Sequence, residues 1–165
     1  MRLWNGWGNE DSDLTMELSD GLRALLEALV GSGTALSQAT LNEVIAKVPN
    51  TRLDDHPLIK TDPETRVRHA RGQSLPDWLE MHSGNVDTFP DGVAFPESSE
   101  QVRELLAHAK ENNLIVIPYG GGTSVVGHIN PETSDKPVLT IDMAKMNSML
   151  GIDTESQLAT FGAGA

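Results

Sequence analysis

Three consecutive glycines, Gly120, Gly121 and Gly122, followed by Thr123 and Ser124, are the residues of this sequence best suited to holding a ligand. Glycine permits positive φ and close approach to the backbone, so successive N–H groups can converge on an anion, and the two hydroxyls add donors. The apolar stretch LIVIPY, residues 114–119, runs directly into them, so the loop begins where a strand ends. Residues 114–135 contain no Lys or Arg, and neutral donors must therefore do the holding, which suits a diphosphate enclosed between two lobes. Two common phosphate-holding designs do not fit. A dinucleotide fingerprint needs G-x-G-x-x-G opening a helix, and Val125 stands where its third glycine belongs. A P-loop needs a lysine after its last glycine, and His128 stands there. Both also need a helix next, whereas HINPETSDKP follows, with Pro131 and Pro137. On these residues alone, a glycine-rich turn without a ligand is the competing reading.

Other groups with chemical potential are sparse. His56, His69, His82, His108 and His128 form no H-x-x-x-H or H-x-E pattern and read as surface or packing histidines; only His128 lies near the loop. There is no Gly-x-Ser-x-Gly nucleophile elbow, and the lack of cysteine removes disulfides, thiolate metal sites and cysteine nucleophiles together. Met143, Met146 and Met149 recur at helical spacing and read as core filler. Asp142, closing VLTID, reads as a solvated strand end, with orientation of a neighbouring loop amide as the alternative. The one basic cluster is Arg66, Arg68, His69 and Arg71. It reads either as surface ion pairs with nearby carboxylates or as a contact for a phosphate-bearing ligand or a facing domain.

The elements that must position these groups follow from periodicity and caps. Leu22, Leu25, Leu26 and Leu29 make a helical stripe closed by GSG at residues 31–33. Thr40 and Glu43 form a capping-box pattern ahead of Leu41, Val44, Ile45 and Val48, with Pro49 as the stop. Ser98 and Gln101 repeat it before Val102, Leu105, Leu106 and Ala109. All of these leucines and valines are expected in the core. The polar stretch of residues 50–63 reads as a connector. Residues 92–96 form a short strand, residues 99–112 a helix and residues 114–119 a second strand, a βαβ unit whose strands should lie parallel with a right-handed crossover.

The 165 residues are enough for one ordinary domain or part of a larger one. With 12 basic against 24 acidic residues and a net charge of -12, nucleic acid is excluded as a partner, and the acidic run of residues 10–20 reads as a solvated surface. No stretch approaches the roughly 18 apolar residues of a membrane span, and no secretory signal is apparent, so a cytoplasmic location is expected.

PDGVAFPESSEQVRELLAHAKENNLIVIPYGGGTSVVG resembles the opening of the PCMH-type FAD-binding domain of vanillyl-alcohol-oxidase-type flavoproteins, with its P-x-G-G-G-T-S-x-x-G loop. VLTIDMAKMNSMLGIDTESQLATFGAGA is similar to the strands that follow in that domain. The resemblance implies an α+β fold: a helical region with connector over residues 1–87, then the first, βαβ-containing half of the FAD-binding domain over residues 88–165. It also implies that Pro118, Tyr119, Gly120, Gly121, Gly122, Thr123 and Ser124 hold the diphosphate of FAD. Some relatives attach the flavin through a histidine in this loop; Thr123 and Ser124 stand in that region here, which implies noncovalent FAD. RLWNGWGNEDS and RVRHARGQSLPDWL resemble segments of the alkyldihydroxyacetonephosphate synthase group, which makes ether lipids by exchanging an acyl chain for a long-chain alcohol. Within WNGWG, Asn5-Gly6 suits a tight turn, with Trp4 and Trp7 as anchors.

The function implied is that of an FAD-linked oxidase or such a synthase, acting on a small-molecule or lipid-phosphate substrate, with a homodimer as the assembly to test for the full-length protein. The alternatives are an FAD-dependent 2-hydroxy-acid dehydrogenase of the D-lactate or glycolate type and a non-enzymatic nucleotide-binding module. Family members run on through a second FAD subdomain and a cap. Catalytic residues are therefore expected beyond Ala165, and the 165-residue chain is expected to be inactive alone.

Overall fold

The cap signals set the helix starts in a computed structural model that describes residues 2–11 and 17–165. The acidic run of residues 10–20 falls partly outside the described residues; within them Glu10, Asp11, Glu17 and Asp20 are exposed, as expected. Helix α1, Asp20–Val30, begins at Ser19, whose hydroxyl accepts from the Leu22 amide at 3.3 Å, and is closed by Gly31 at φ 87°. Its apolar stripe forms, but no residue of α1 is buried: Leu25 is 54% and Leu29 71% exposed. The expectation that these leucines are core is thereby corrected, because periodicity specifies an apolar face and not the surface that covers it. Helix α2, Leu41–Ile45, starts at the expected capping box: the Thr40 amide donates to Glu43 at 2.7 Å, and the Glu43 amide donates to the Thr40 hydroxyl at 3.3 Å. Its Val44 is fully buried among Val67, Ala70, Met81, Val86 and Phe89, with Trp4 and Trp78 packed alongside.

The stretch read as a connector carries strand β1, Ile59–Lys60, and is followed by helices α3, Pro63–Val67, and α4, Leu75–Ser83. Both helices have a polar cap and a proline in the first turn: Asp62 accepts from the Thr65 amide at 2.9 Å, and Ser74 and Asp77 form a reciprocal capping box. With five and nine residues they are too short to display a clear apolar period.

Strand β2, Gly92–Ala94, leads into helix α5, Ser99–Glu111, strand β3, Ile115–Tyr119, and strand β4, Val138–Asp142. The sheet order is β1-β2-β4-β3. β2 and β3 run parallel as expected, yet they do not touch: each pairs in parallel with β4, which lies between them, while β1 pairs antiparallel with β2. All five residues of β4 are buried. Leu139 and Ile141 join Ala94 and the Leu105 of α5 in one cluster, and Val138 joins Ile117, Tyr119 and Ile129 in another, the alternation a buried central strand requires. The buried stripe of α5 is narrower than expected: Leu105 and Ala109 are buried, whereas Leu106 is 48% exposed. A 3-10 turn, Met143–Lys145, then leads to a hairpin of β5, Met149–Asp153, and β6, Leu158–Phe161, which pair only with each other and are exposed along their whole length. Of the three methionines read as filler, Met143 packs on the core and Met149 is 57% exposed on β5.

Two of the clustered arginines are not on the surface. Arg66 is 2% exposed and donates from Nε to the Pro90 carbonyl at 2.6 Å and from Nη1 to the Pro49 carbonyl at 2.7 Å. Burial pushes its pKa below the ordinary value, partly opposed by Asp91 nearby. Arg71, also buried, binds the Thr88 carbonyl, Asp87 and Glu80. The surface ion-pair reading is corrected for Arg66, which fastens backbone carbonyls of separate segments; Arg71 keeps its ion pairs with Glu80 and Asp87 but is itself buried. Arg52 completes the joint through a two-pronged pair with Asp91 at 2.8 and 2.7 Å.

Candidate functional site

Strands β3 and β4 are parallel, so their carboxyl ends lie side by side, the usual position for a ligand in such sheets. The glycine loop leaves β3 there and the Met143–Lys145 turn leaves β4. Between them opens a cleft of about 450 Å³ lined by Arg2, Arg68, His69, Tyr119, Gly120, Gly121 and Asp142, with Ala163, Gly164 and Ala165 closing one side. Gly164 is needed there, since a side chain on it would collide with the Met143 carbonyl.

The loop has one closed and one open side. Gly122 is at φ 68°, and a Cβ on it would collide with the Tyr119 hydroxyl and lie 2.8 Å from Arg2 Nη2. A Cβ at Gly120 would meet nothing within 4 Å, and one at Gly121 only the Thr123 methyl at 3.6 Å. Among the described residues no protein group accepts from the amides of Gly121, Gly122 or Thr123. Ser124 is held instead: its carbonyl accepts from the Gln73 amide at 2.6 Å, and its hydroxyl lies 3.1 Å from His128 Nδ1. Spare N–H groups, with open space at Gly120 and Gly121, are features an anion-binding loop requires.

The sequence matches a family model described as "FAD binding domain" over residues 90–165. Residues 90–165 belong to the FAD binding domain family. Alkyldihydroxyacetonephosphate synthase of Dictyostelium discoideum is 35% identical over 106 residues, covering 64% of this chain and 17% of the relative. D-lactate dehydrogenase [cytochrome] 1 of Saccharomyces cerevisiae is 32% identical over 77 residues, 46% of this chain and 13% of the relative. A solved alkyldihydroxyacetonephosphate synthase structure superposes with a TM-score of 0.73 at 26% identity, covering 96% of this chain and 36% of that one. The chain thus spans well under half the length of these three relatives.

The rest of the cleft comes from the N-terminal half. His69 is buried at the end of α3, its Nδ1 2.7 Å from the Thr65 carbonyl and its Nε2 2.9 Å from Asp142 Oδ2. Both partners are acceptors, so the His69–Asp142 contact must contain a proton. Its ring lies 4.6 Å from that of Tyr119. Asp142 is 6% exposed, and its Oδ1 accepts from the Ala144 amide at 2.8 Å. The solvated strand end is therefore corrected in favour of the alternative, orientation of a loop amide. Burial holds the Tyr119 phenol above its ordinary pKa, partly opposed by Arg2, whose Nη2 donates to its hydroxyl at 2.6 Å.

The other histidines pack as expected. His56 packs tilted against His108 with ring centroids 4.6 Å apart, and His82 meets Gln38 at 2.8 Å. Among the described residues no group of acidic and histidine side chains could hold a metal, and no helix is long and apolar enough to cross a membrane. Sequence reasoning missed Arg2 entirely, because it lies 117 residues from Tyr119 and no local pattern marks it.

Proposed function

We propose that this chain is the diphosphate-holding part of an FAD-dependent enzyme related to the alkyldihydroxyacetonephosphate synthases, with FAD bound noncovalently. The observation that carries the reading is that the amides of Gly121, Gly122 and Thr123 meet no acceptor among the described residues, in a loop whose Gly120 and Gly121 line the cleft at the carboxyl end of β3, in a family defined by FAD binding. In this reading Pro118 and Tyr119 fix the end of the strand, the amides of residues 120–124 take the diphosphate, and the Thr123 hydroxyl adds a donor. Ser124 holds the loop's far end through Gln73 and His128. The flavin, when bound, supplies two-electron redox chemistry and an electrophilic ring. Residues 1–87, helical apart from β1, which joins the sheet, buttress the FAD-binding part at residues 88–165 through Arg66, Arg52 and His69.

The D-lactate dehydrogenase relative supports a second reading, oxidation of a small 2-hydroxy acid. The gene's full product, assayed with D-lactate or glycolate and a dye acceptor, and separately with an acyl-dihydroxyacetone phosphate and a long-chain alcohol, distinguishes the two. Flavin that precipitates with the protein in acid overturns noncovalent attachment. The 165-residue chain alone is expected to lack activity, to bind FAD weakly and to self-associate through the exposed β5–β6 hairpin, where Leu150 is 67% and Leu158 64% exposed. A monodisperse monomer that quenches FAD fluorescence stoichiometrically at low concentration refutes that expectation.

A further inference from the structure

The glycine loop has no basic residue of its own, but folding brings two arginines to it. Arg68 is already committed: its Nε lies 2.9 Å from Glu64, its Nη2 3.1 Å from Glu10, and its Nη1 donates to the Arg2 carbonyl at 2.8 Å. Arg2 is different. It donates from Nη2 to the Tyr119 hydroxyl and from Nη1 to the Gly121 carbonyl, and it meets no carboxylate among the described residues. A guanidinium has five N–H donors, so three remain for another acceptor. The charge is presented by a small hairpin. Arg2 bridges Asn9, the Leu3 amide donates to the Gly8 carbonyl at 3.0 Å, the chain reverses at Asn5 and Gly6, and Trp4 packs on the core while Trp7 is 50% exposed.

We infer that Arg2 binds the diphosphate of the dinucleotide in the cleft and that the WNGWG hairpin serves to present it there. This rests on the flavin reading of the loop. A neutral amide row attracts an anion through partial charges, and one guanidinium beside it adds a full charge with a planar fork that matches phosphate oxygens. The two protein acceptors that Arg2 already engages fix its orientation, so little side-chain entropy is lost on binding.

The test uses the gene's full product, stripped of flavin, as wild type, Arg2→Gln and Arg2→Lys, titrated with FAD, ADP and riboflavin, and melted without ligand. Arg2→Gln should weaken FAD and ADP about ten-fold, the loss expected for one charge-assisted contact, and leave riboflavin, which has no phosphate, unchanged. Arg2→Lys, which keeps the charge and loses the fork, should recover most of the affinity for both. Unchanged FAD affinity in Arg2→Gln overturns the inference. So does a parallel loss for all three ligands with lower melting that Lys does not repair, since Arg2 would then only brace Tyr119. Failure of the flavin reading itself registers separately, as FAD affinity insensitive to Gly121→Val.

Discussion

Gly121→Val separates ligand binding from folding because the two neighbouring glycines differ so sharply. At Gly121 an added Cβ meets only the Thr123 methyl at 3.6 Å, in ordinary contact, and the backbone is not left-handed. The substitution should therefore change stability by less than about 1 kcal/mol. The new side chain occupies the space over the amide row. If it denies the ligand two amide contacts of about 1.5–3 kcal/mol each, FAD affinity falls by roughly two to four orders of magnitude. Gly122 is the control with the opposite signature. Left-handed backbone costs about 1–2 kcal/mol for a residue with a side chain, and a Cβ there also lies 2.6 Å from Tyr119 Cζ. Gly122→Val should lower the melting temperature of the flavin-free protein itself. The assay is FAD titration by flavin fluorescence on stripped full-length protein, beside thermal melting of the same preparations. Wild-type FAD affinity in Gly121→Val refutes the loop assignment, and a melting loss as large as that of Gly122→Val refutes the division into an open and a closed side.

Arg66→Gln should destabilise by about 1–3 kcal/mol in urea titration, because it strands the buried Pro90 carbonyl and breaks the contact with the Pro49 carbonyl, whereas Arg103→Gln, on the exposed face of α5, should leave the midpoint unchanged. Thr140→Val should raise stability by about 0.5–1.5 kcal/mol, since the Thr140 hydroxyl is buried without a hydrogen-bond partner among the described residues; a lower urea midpoint contradicts this. Asp91 tests pH dependence. Burial raises its pKa, but the Arg52 guanidinium and the Val138 amide outweigh that and hold it below the ordinary value. Its contribution is then complete above its unfolded pKa of about 3.9 and is lost as pH falls through the lower folded value. The stability gap between wild type and Asp91→Asn should be wide at neutral pH and narrow below about pH 4 in urea titrations; a gap that stays constant contradicts it.

What the sequence disclosed was local. Thr40 with Glu43 and Ser98 ahead of α5 announced helix starts because a cap is written within four residues, and LIVIPY announced β3 because its apolar run stops at glycine. The Gln101 side chain, expected to reach back to Ser98, bonds the Glu97 amide instead, one residue further out. α3 and α4 were hidden by their brevity. The burial of Arg66 and of Asp142 was hidden because the carbonyls that hold Arg66 and the histidine that meets Asp142 sit elsewhere in the chain. The loop was legible as a glycine turn at the end of β3, while the charge that Arg2 brings to it was not, since the contact spans 117 residues.

The position of β4 has a consequence for how the molecule is made. β2 and β3 are complete in the chain by Tyr119 but have no hydrogen bonds to each other; β3 finds its partner only in β4, and β2 has until then only the two-residue β1. During synthesis, therefore, the parallel sheet cannot zip up until Asp142 has left the ribosome, and the cleft, whose walls stand at the ends of β3 and β4, is born in the same event. Formation of the sheet depends on long loops closing around a single insertion, which makes folding slow for the chain's size and nearly all-or-none. A variant that weakens β4 should then populate no half-built sheet; it should delay the whole structure at once.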